Sequence, residues 1–180
     1  MTDVRPDPYV STLGRSYVPL TEQMGTAALR VLDEARATTL ASVVDRLIPG
    51  DEHWPVASST GVVRHVDGVL ARVPELRADV LGLLDAAEAA SDGFGSAAPA
   101  RRDEVLRAVE ADAEHAGTFR AIYEMTCEAY YRHASVLAVM QERTGYDTTL
   151  PLRGVPLDPF DETRLDRVRT LPPRYRKVRP

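Results

Sequence analysis

An imidazole-containing metal site in this chain would draw on four histidines, His53, His65, His115 and His133. A di-iron helical bundle needs Glu-x-x-His repeated on facing helices, because a hard metal takes several carboxylates and an imidazole at one depth. The residues three before each histidine are Gly50, Val62, Asp112 and Tyr130. Only Asp112-x-x-His115 resembles the motif, and one copy cannot hold two metals, so His115 reads as an exposed residue near a helix break. The sharpest polar cluster is Asp51-Glu52-His53-Trp54. Two carboxylates, an imidazole and an indole on one loop could bind a cation or contact a partner. The simpler alternative is a solvated loop whose tryptophan packs on its own domain.

Nucleophilic chemistry has less to work with. Cys127 is the single cysteine, which excludes an internal disulfide framework and a multi-cysteine metal site. It falls mid-helix beside Thr126 and Glu128 with no activating base in view, and reads as a small buried residue. There is no Gly-x-Ser-x-Gly elbow, no Gly-x-Gly-x-x-Gly and no Cys-x-x-Cys-His. Gly93-Phe94-Gly95 is a turn, since no strand precedes it. Phe119, Tyr123, Met125 and Tyr130 read as core. Tyr131, about 100° further round the helix than Tyr130, is placed at a surface where a partner could touch it.

The elements that would carry these residues are helical. Thr21 is a plausible N-cap, with Glu22 and Gln23 in the first turn. Leu40, Val43, Val44, Leu47 and Ile48 make one apolar face from Thr38 to Ile48, stopped by Pro49-Gly50. Val62, Val66, Val69, Leu70 and Val73 repeat the spacing, and Pro74 opens a third helix lined by Leu76, Val80, Leu83, Leu84 and Ala87. Further helices are expected at Pro99 to Ala113, Phe119 to Tyr130 and Val136 to Met140, the last ended by Gly145. No alternating strand pattern competes. The expected fold is all-α: a small bundle of about six short helices over residues 21–145, with an extended N-terminal arm over 1–20 and a long irregular tail over 146–180.

The 180 residues suffice for one domain with a real core. No apolar run is long enough to span a membrane, and no basic and apolar leader opens the chain, which predicts a cytoplasmic protein, or a periplasmic one if it is exported with a partner. Charge is segregated. The segment from Arg164 to Pro180 holds seven basic residues against one acid, a net +6 within a chain of net −5, so the remainder carries −11. An acidic body argues against a nucleic-acid-binding domain. Arginine outnumbers lysine 21 to 1; a GC-rich genome accounts for that, and bidentate pairing with a partner's carboxylates is the functional alternative. Pro151, Pro156, Pro159, Pro172 and Pro173 forbid a long helix in the tail, leaving Asp161 to Arg169 for a short turn. The tail is longer than ordinary structureless connections, yet it keeps Phe160, Leu165, Leu171 and Tyr175.

At Leu40-Ala-Ser-Val-Val-Asp45-Arg46-Leu-Ile-Pro49-Gly-Asp51 the chain resembles the opening signature of the gluconate 2-dehydrogenase subunit 3 family: an apolar helix with Asp-Arg near its end, stopped by Ile-Pro and followed by acidic loop residues. Gly61-Val-Val-Arg-His-Val-Asp67, Pro74-Glu-Leu-Arg77, Phe119 through Tyr131, and Gly145-Tyr146 continue the resemblance in order. It implies a small subunit without a cofactor of its own, bound to a large FAD-carrying flavoprotein of the glucose-methanol-choline oxidoreductase type that oxidises a sugar, sugar acid or related alcohol. Some such complexes add a cytochrome c subunit. Many family members also carry a twin-arginine export signal, and this sequence departs from that pattern.

On this reading no residue is catalytic, cofactor-binding or metal-ligating. The expected partner-binding residues are Trp54, Tyr131, Phe160, Arg164, Arg167, Arg169, Leu171, Arg174, Tyr175 and Arg176. The alternatives are an independent metal-dependent helical enzyme and a helical adaptor with a basic tail.

Overall fold

The computed structural model describes residues 15–91, 93–147, 154 and 158–172. The chain divides into two compact units, Met1–Tyr146 and Asp147–Pro180. Among the described residues there are eight α-helices and no strand, so the fold is all-α. In the first unit these are α1 (Leu20–Gln23), α2 (Glu34–Leu47), α3 (Val62–Arg72), α4 (Arg77–Ser91), α5 (Pro99–Ala111), α6 (Ala116–Tyr130) and α7 (Ala134–Thr144). No helix of the described residues is long and apolar enough to cross a membrane.

The core matches the apolar periodicity. Leu40, Val43 and Val44 of α2, Val66, Val69 and Leu70 of α3, Leu83 and Leu84 of α4, and Ile122 and Met125 of α6 are all buried. Each such side chain contributes roughly 1.5–3 kcal/mol on leaving water. Helix α6 packs on α3, α4 and α5, and α2 packs on α3, α4 and α5.

Helix starts differ from the expectation at α4, which begins at Arg77 after a 3-10 turn over Pro74–Leu76, at α6 and α7, which begin at Ala116 and Ala134, and at α1 and α2. Helix α1 begins at Leu20 after Pro19, not after a Thr21 cap, and lasts one turn. Helix α2 begins four residues before Thr38, because the Asp33 carboxylate accepts the Arg36 amide at 2.8 Å. Its first turn, Glu-Ala-Arg-Ala, carries no apolar repeat, so the cap alone marks it.

Residues 15–20, read from the sequence as part of an arm, lie against their own helical unit; residues 1–14 lie outside the described residues. Ser16 and Val18 are buried. Gly68 on α3 admits Val18: a Cβ there would stand 3.0 Å from both Val18 methyl carbons. Arg132 donates to the Val18 carbonyl at 3.1 Å, and its guanidinium lies 5.2 Å from the Tyr17 ring centroid. Gln23, fully buried, donates to the carbonyls of Thr60 and Ala129 at 3.2 and 2.9 Å. Glu22 ion-pairs with both Arg30 and Arg72.

These pairs predict acid sensitivity. The Arg72 hydrogen bond holds the Glu22 carboxyl below its ordinary value of 4.5, with Arg30 adding to it. Arg36 and Arg46 do the same to Asp85 and Asp103, whose ordinary value is 3.8. The unfolded chain therefore takes up protons more readily than the folded one. The stability these groups contribute is fully present above about pH 4.5 and is lost as pH falls through their lowered folded values. Urea midpoints measured from pH 7 to pH 3 should stay level in this respect down to pH 5 and then drop, and Glu22→Gln should make the drop shallower. An equal drop in Glu22→Gln would remove Glu22 from the account.

In the second unit a 3-10 turn, Glu162–Leu165, leads into α8 (Asp166–Arg169), and Asp161 accepts the Thr163 amide at 3.0 Å to start it. Every residue from 158 to 172 is exposed.

Candidate functional site

The Asp-Arg near the end of α2 anchors both the loop after it and a neighbouring helix. Asp45 accepts the Ser58 amide at 2.7 Å and its hydroxyl at 2.9 Å. Arg46 makes a two-pronged pair with Asp103 of α5, at 2.8 and 2.9 Å. Beyond Arg46 the chain reverses at Gly50, which takes φ +69°; a Cβ there would meet the Val56 nitrogen at 2.7 Å and the Trp54 carbonyl at 2.8 Å, so only glycine fits. One carboxylate oxygen of Asp51, Oδ1, accepts the amides of His53 and Trp54 at 2.8 and 2.9 Å. Those hydrogen bonds hold its carboxyl below the usual range. The loop is a built structure.

Replacing Asp45 by alanine should cost about 1–3 kcal/mol of stability, because the part-buried Ser58 donors lose their acceptor. Urea unfolding with tryptophan fluorescence reads this, since Trp54 is the single tryptophan.

Helix α6 meets this loop. The Tyr130 hydroxyl donates to the Pro55 carbonyl at 2.8 Å, and the Tyr131 ring stands edge-on to Tyr130 with centroids 5.3 Å apart. Burial pushes the Tyr130 phenol up, with Tyr131 and Asp51 adding to it. Tyr131 is half exposed and Trp54 half-buried. Trp54, Tyr130 and Tyr131 line a concavity of about 260 Å³ with Asp51, Pro49 and Ile48. Trp54 also packs against the edge of the core, as the self-packing reading of the loop expects, and the rest of its ring faces the concavity.

Three expectations need correction. Tyr123 is exposed, at 48%, although it shares a face with Tyr130. Seven residues separate them by about 10.5 Å along the helix axis, and the hydrogen bond that ties the loop to α6 is made at Tyr130. Cys127, expected buried, is only partly so; it lies between Tyr123 and Tyr131 on this outer side and pushes the Tyr123 phenol up. His115, expected exposed, is partly buried at the start of α6, with Nδ1 3.3 Å from Asp112.

The histidines do not converge. His53 pairs with Glu52 on the exposed loop, His133 caps α7 and His65 is fully buried beside Glu128. Among the described residues no three His, Cys, Asp or Glu side chains are placed to share a metal ion.

The structure thus brings Trp54 and Tyr131 together. Phe160, Arg164, Arg167, Arg169 and Leu171 all stand exposed in the second unit, where Arg169 reaches Glu162 at 3.0 Å. Arg174, Tyr175 and Arg176 lie outside the described residues. Sequence reasoning missed Tyr123 as a surface group, although its i, i+4, i+8 register with Cys127 and Tyr131 was there to be read.

No curated protein and no solved structure matches the chain. The family model described as gluconate 2-dehydrogenase subunit 3 matches residues 34–149. That span runs from the first residue of α2 past the end of α7, and so takes in the Asp45-Arg46 clamp, the Asp51 loop and the tyrosines of α6. The chain belongs to the gluconate 2-dehydrogenase subunit 3 family, and with it to the accessory subunits of dehydrogenase complexes.

Proposed function

We propose that this chain is the small subunit, without a cofactor of its own, that binds and stabilises a large FAD-dependent oxidoreductase subunit of the glucose-methanol-choline type. The FAD of that partner would supply the hydride chemistry on a sugar, sugar acid or related alcohol. This chain's own residues would do the binding. The observation that carries the reading is the second unit. Phe160, Leu165, Val168 and Leu171 are all exposed within one short stretch, Phe160 at 63% and Val168 at 60%. Clustered apolar side chains left in water mark a surface built to be covered. The Trp54–Tyr131 concavity offers a second contact on the helical unit. We expect an interface of more than about 2,000 Å² in total, the class of permanent subunit contacts.

Co-expression with the flavoprotein subunit tests the proposal. The two should co-elute as a yellow complex, with this chain colourless and metal-free when purified alone. The flavoprotein should unfold at a higher temperature when bound, by mass action. Stoichiometric metal or chromophore on the isolated chain would instead favour the metal-dependent enzyme, and a flavoprotein indifferent to this chain would remove the subunit role.

A further inference from the structure

The concavity between the Asp51 loop and the end of α6 has features that select a particular occupant. At about 260 Å³ it falls below the roughly 300–1,000 Å³ typical of small-molecule and cofactor sites, and so suits one side chain better than a ligand. Three of its lining residues are aromatic, Trp54, Tyr130 and Tyr131, and Asp51 is its acidic group. The Asp51 amide-bound oxygen is Oδ1; no described residue donates a hydrogen bond to Oδ2. His53 and Arg143 are the nearby basic side chains of this chain; both are exposed and act on Asp51 through space.

We propose that this concavity receives an arginine side chain of the flavoprotein subunit, its guanidinium lying against the Trp54 and Tyr131 rings and pairing with Asp51. Charge complementarity supports this occupant, since the chain outside its basic tail carries −11 against +6 for the tail within the net −5. Arginine suits it because a planar guanidinium can lie flat on a ring while its fork of N–H donors pairs with a carboxylate, whereas an ammonium offers only a point charge and an apolar side chain neither. The same chain already uses half of that pairing, where Arg132 lies over Tyr17.

The inference rests on the docking reading above, and its test separates the two. Asp51→Asn is the informative variant, because an asparagine Oδ1 can still accept the His53 and Trp54 amides while the charge is gone. In the full-length complex, Asp51→Asn should raise the Kd for the flavoprotein by about ten-fold or more and flatten its salt dependence. A Kd within two-fold of the parent's overturns the proposal while leaving the subunit role standing. If the unaltered chain does not bind the flavoprotein at all, the docking reading falls, and a second measurement decides the concavity. Acetyl-Gly-Arg-Gly-amide, titrated into the full chain, should change the fluorescence of Trp54, the single tryptophan, saturably. The citrulline peptide of the same shape, or the Asp51→Asn chain, should give a response at least about ten-fold weaker. Equal responses to the arginine and citrulline peptides overturn the proposal.

Discussion

Replacing Asp67 with alanine should lower the unfolding free energy by about 2–4 kcal/mol, the largest single loss expected in this protein, because three backbone donors lose their acceptor. Asp67 is nearly fully buried. Its Oδ1 accepts the amides of Val31 and Leu32, at 2.8 and 2.9 Å, and its Oδ2 accepts that of Arg30 at 2.9 Å. One carboxylate thus satisfies three consecutive backbone donors in the extended stretch that joins α1 to α2. Alanine would leave the donors without an acceptor, at about 1–3 kcal/mol for a buried group. Against a total stability of about 5–15 kcal/mol this is a large fraction. Asp67→Asn should be milder, because its oxygen can keep Val31 and Leu32 while its amide group faces the Arg30 donor. Urea unfolding of both variants, with hydrogen exchange at residues 30–32, reads the difference. A loss below about 1 kcal/mol in Asp67→Ala would mean that the stretch is held by something else.

The second large effect concerns assembly. Deleting Arg164 to Pro180 should weaken the proposed complex with a flavoprotein subunit by about 30-fold or more while leaving the helical content nearly intact. The expected weight lies on apolar anchors, since buried hot-spot side chains account for about 2 kcal/mol or more each and about 1.4 kcal/mol is ten-fold in affinity. Leu165, Val168 and Leu171 are the exposed candidates within the deletion, with Phe160 just before it; the two leucines are the larger side chains of the three. Exposed arginine pairs add only about 0–1 kcal/mol apiece, so Leu165→Ala with Leu171→Ala in the full chain should reproduce most of the loss. Circular dichroism should change little, because among the described residues the deletion removes the four-residue α8 and part of the preceding turn, and no other helix. Unchanged affinity in the truncated chain would show that the tail is not a docking arm.

The arrangement of helices was legible because helix formation against a core is a local, periodic signal. Val62, Val66, Val69, Leu70 and Val73 announce one buried face by spacing alone, and all five are buried. The family signature was legible for the same reason, as a helix and its stop read in order. What each signature residue does was not legible. Asp45 holds Ser58 across the loop, Arg46 reaches Asp103 on another helix, and Asp67 collects backbone donors from residues 30–32. Hydrogen-bond partners so far apart in sequence leave no periodic trace. His65 illustrates the same limit: on α3 it sits fully buried beside Glu128 of α6, a position its neighbours in sequence do not mark.

By itself the sequence determined that the chain is all-helical, where most of its helices run, and which family it resembles, since these depend on residue type and spacing along one dimension. Only the tertiary structure decided that Trp54 and Tyr131 share one concavity, that Tyr130 is covered while Tyr123 is bare, and that residues 15–20 lie on their own helical unit. Each of those outcomes turns on which segments meet across the fold. A loop pinned by Asp51 and tied to α6 through the Tyr130 hydroxyl covers one tyrosine and not the other, and that selection is made by contact between distant parts of the chain.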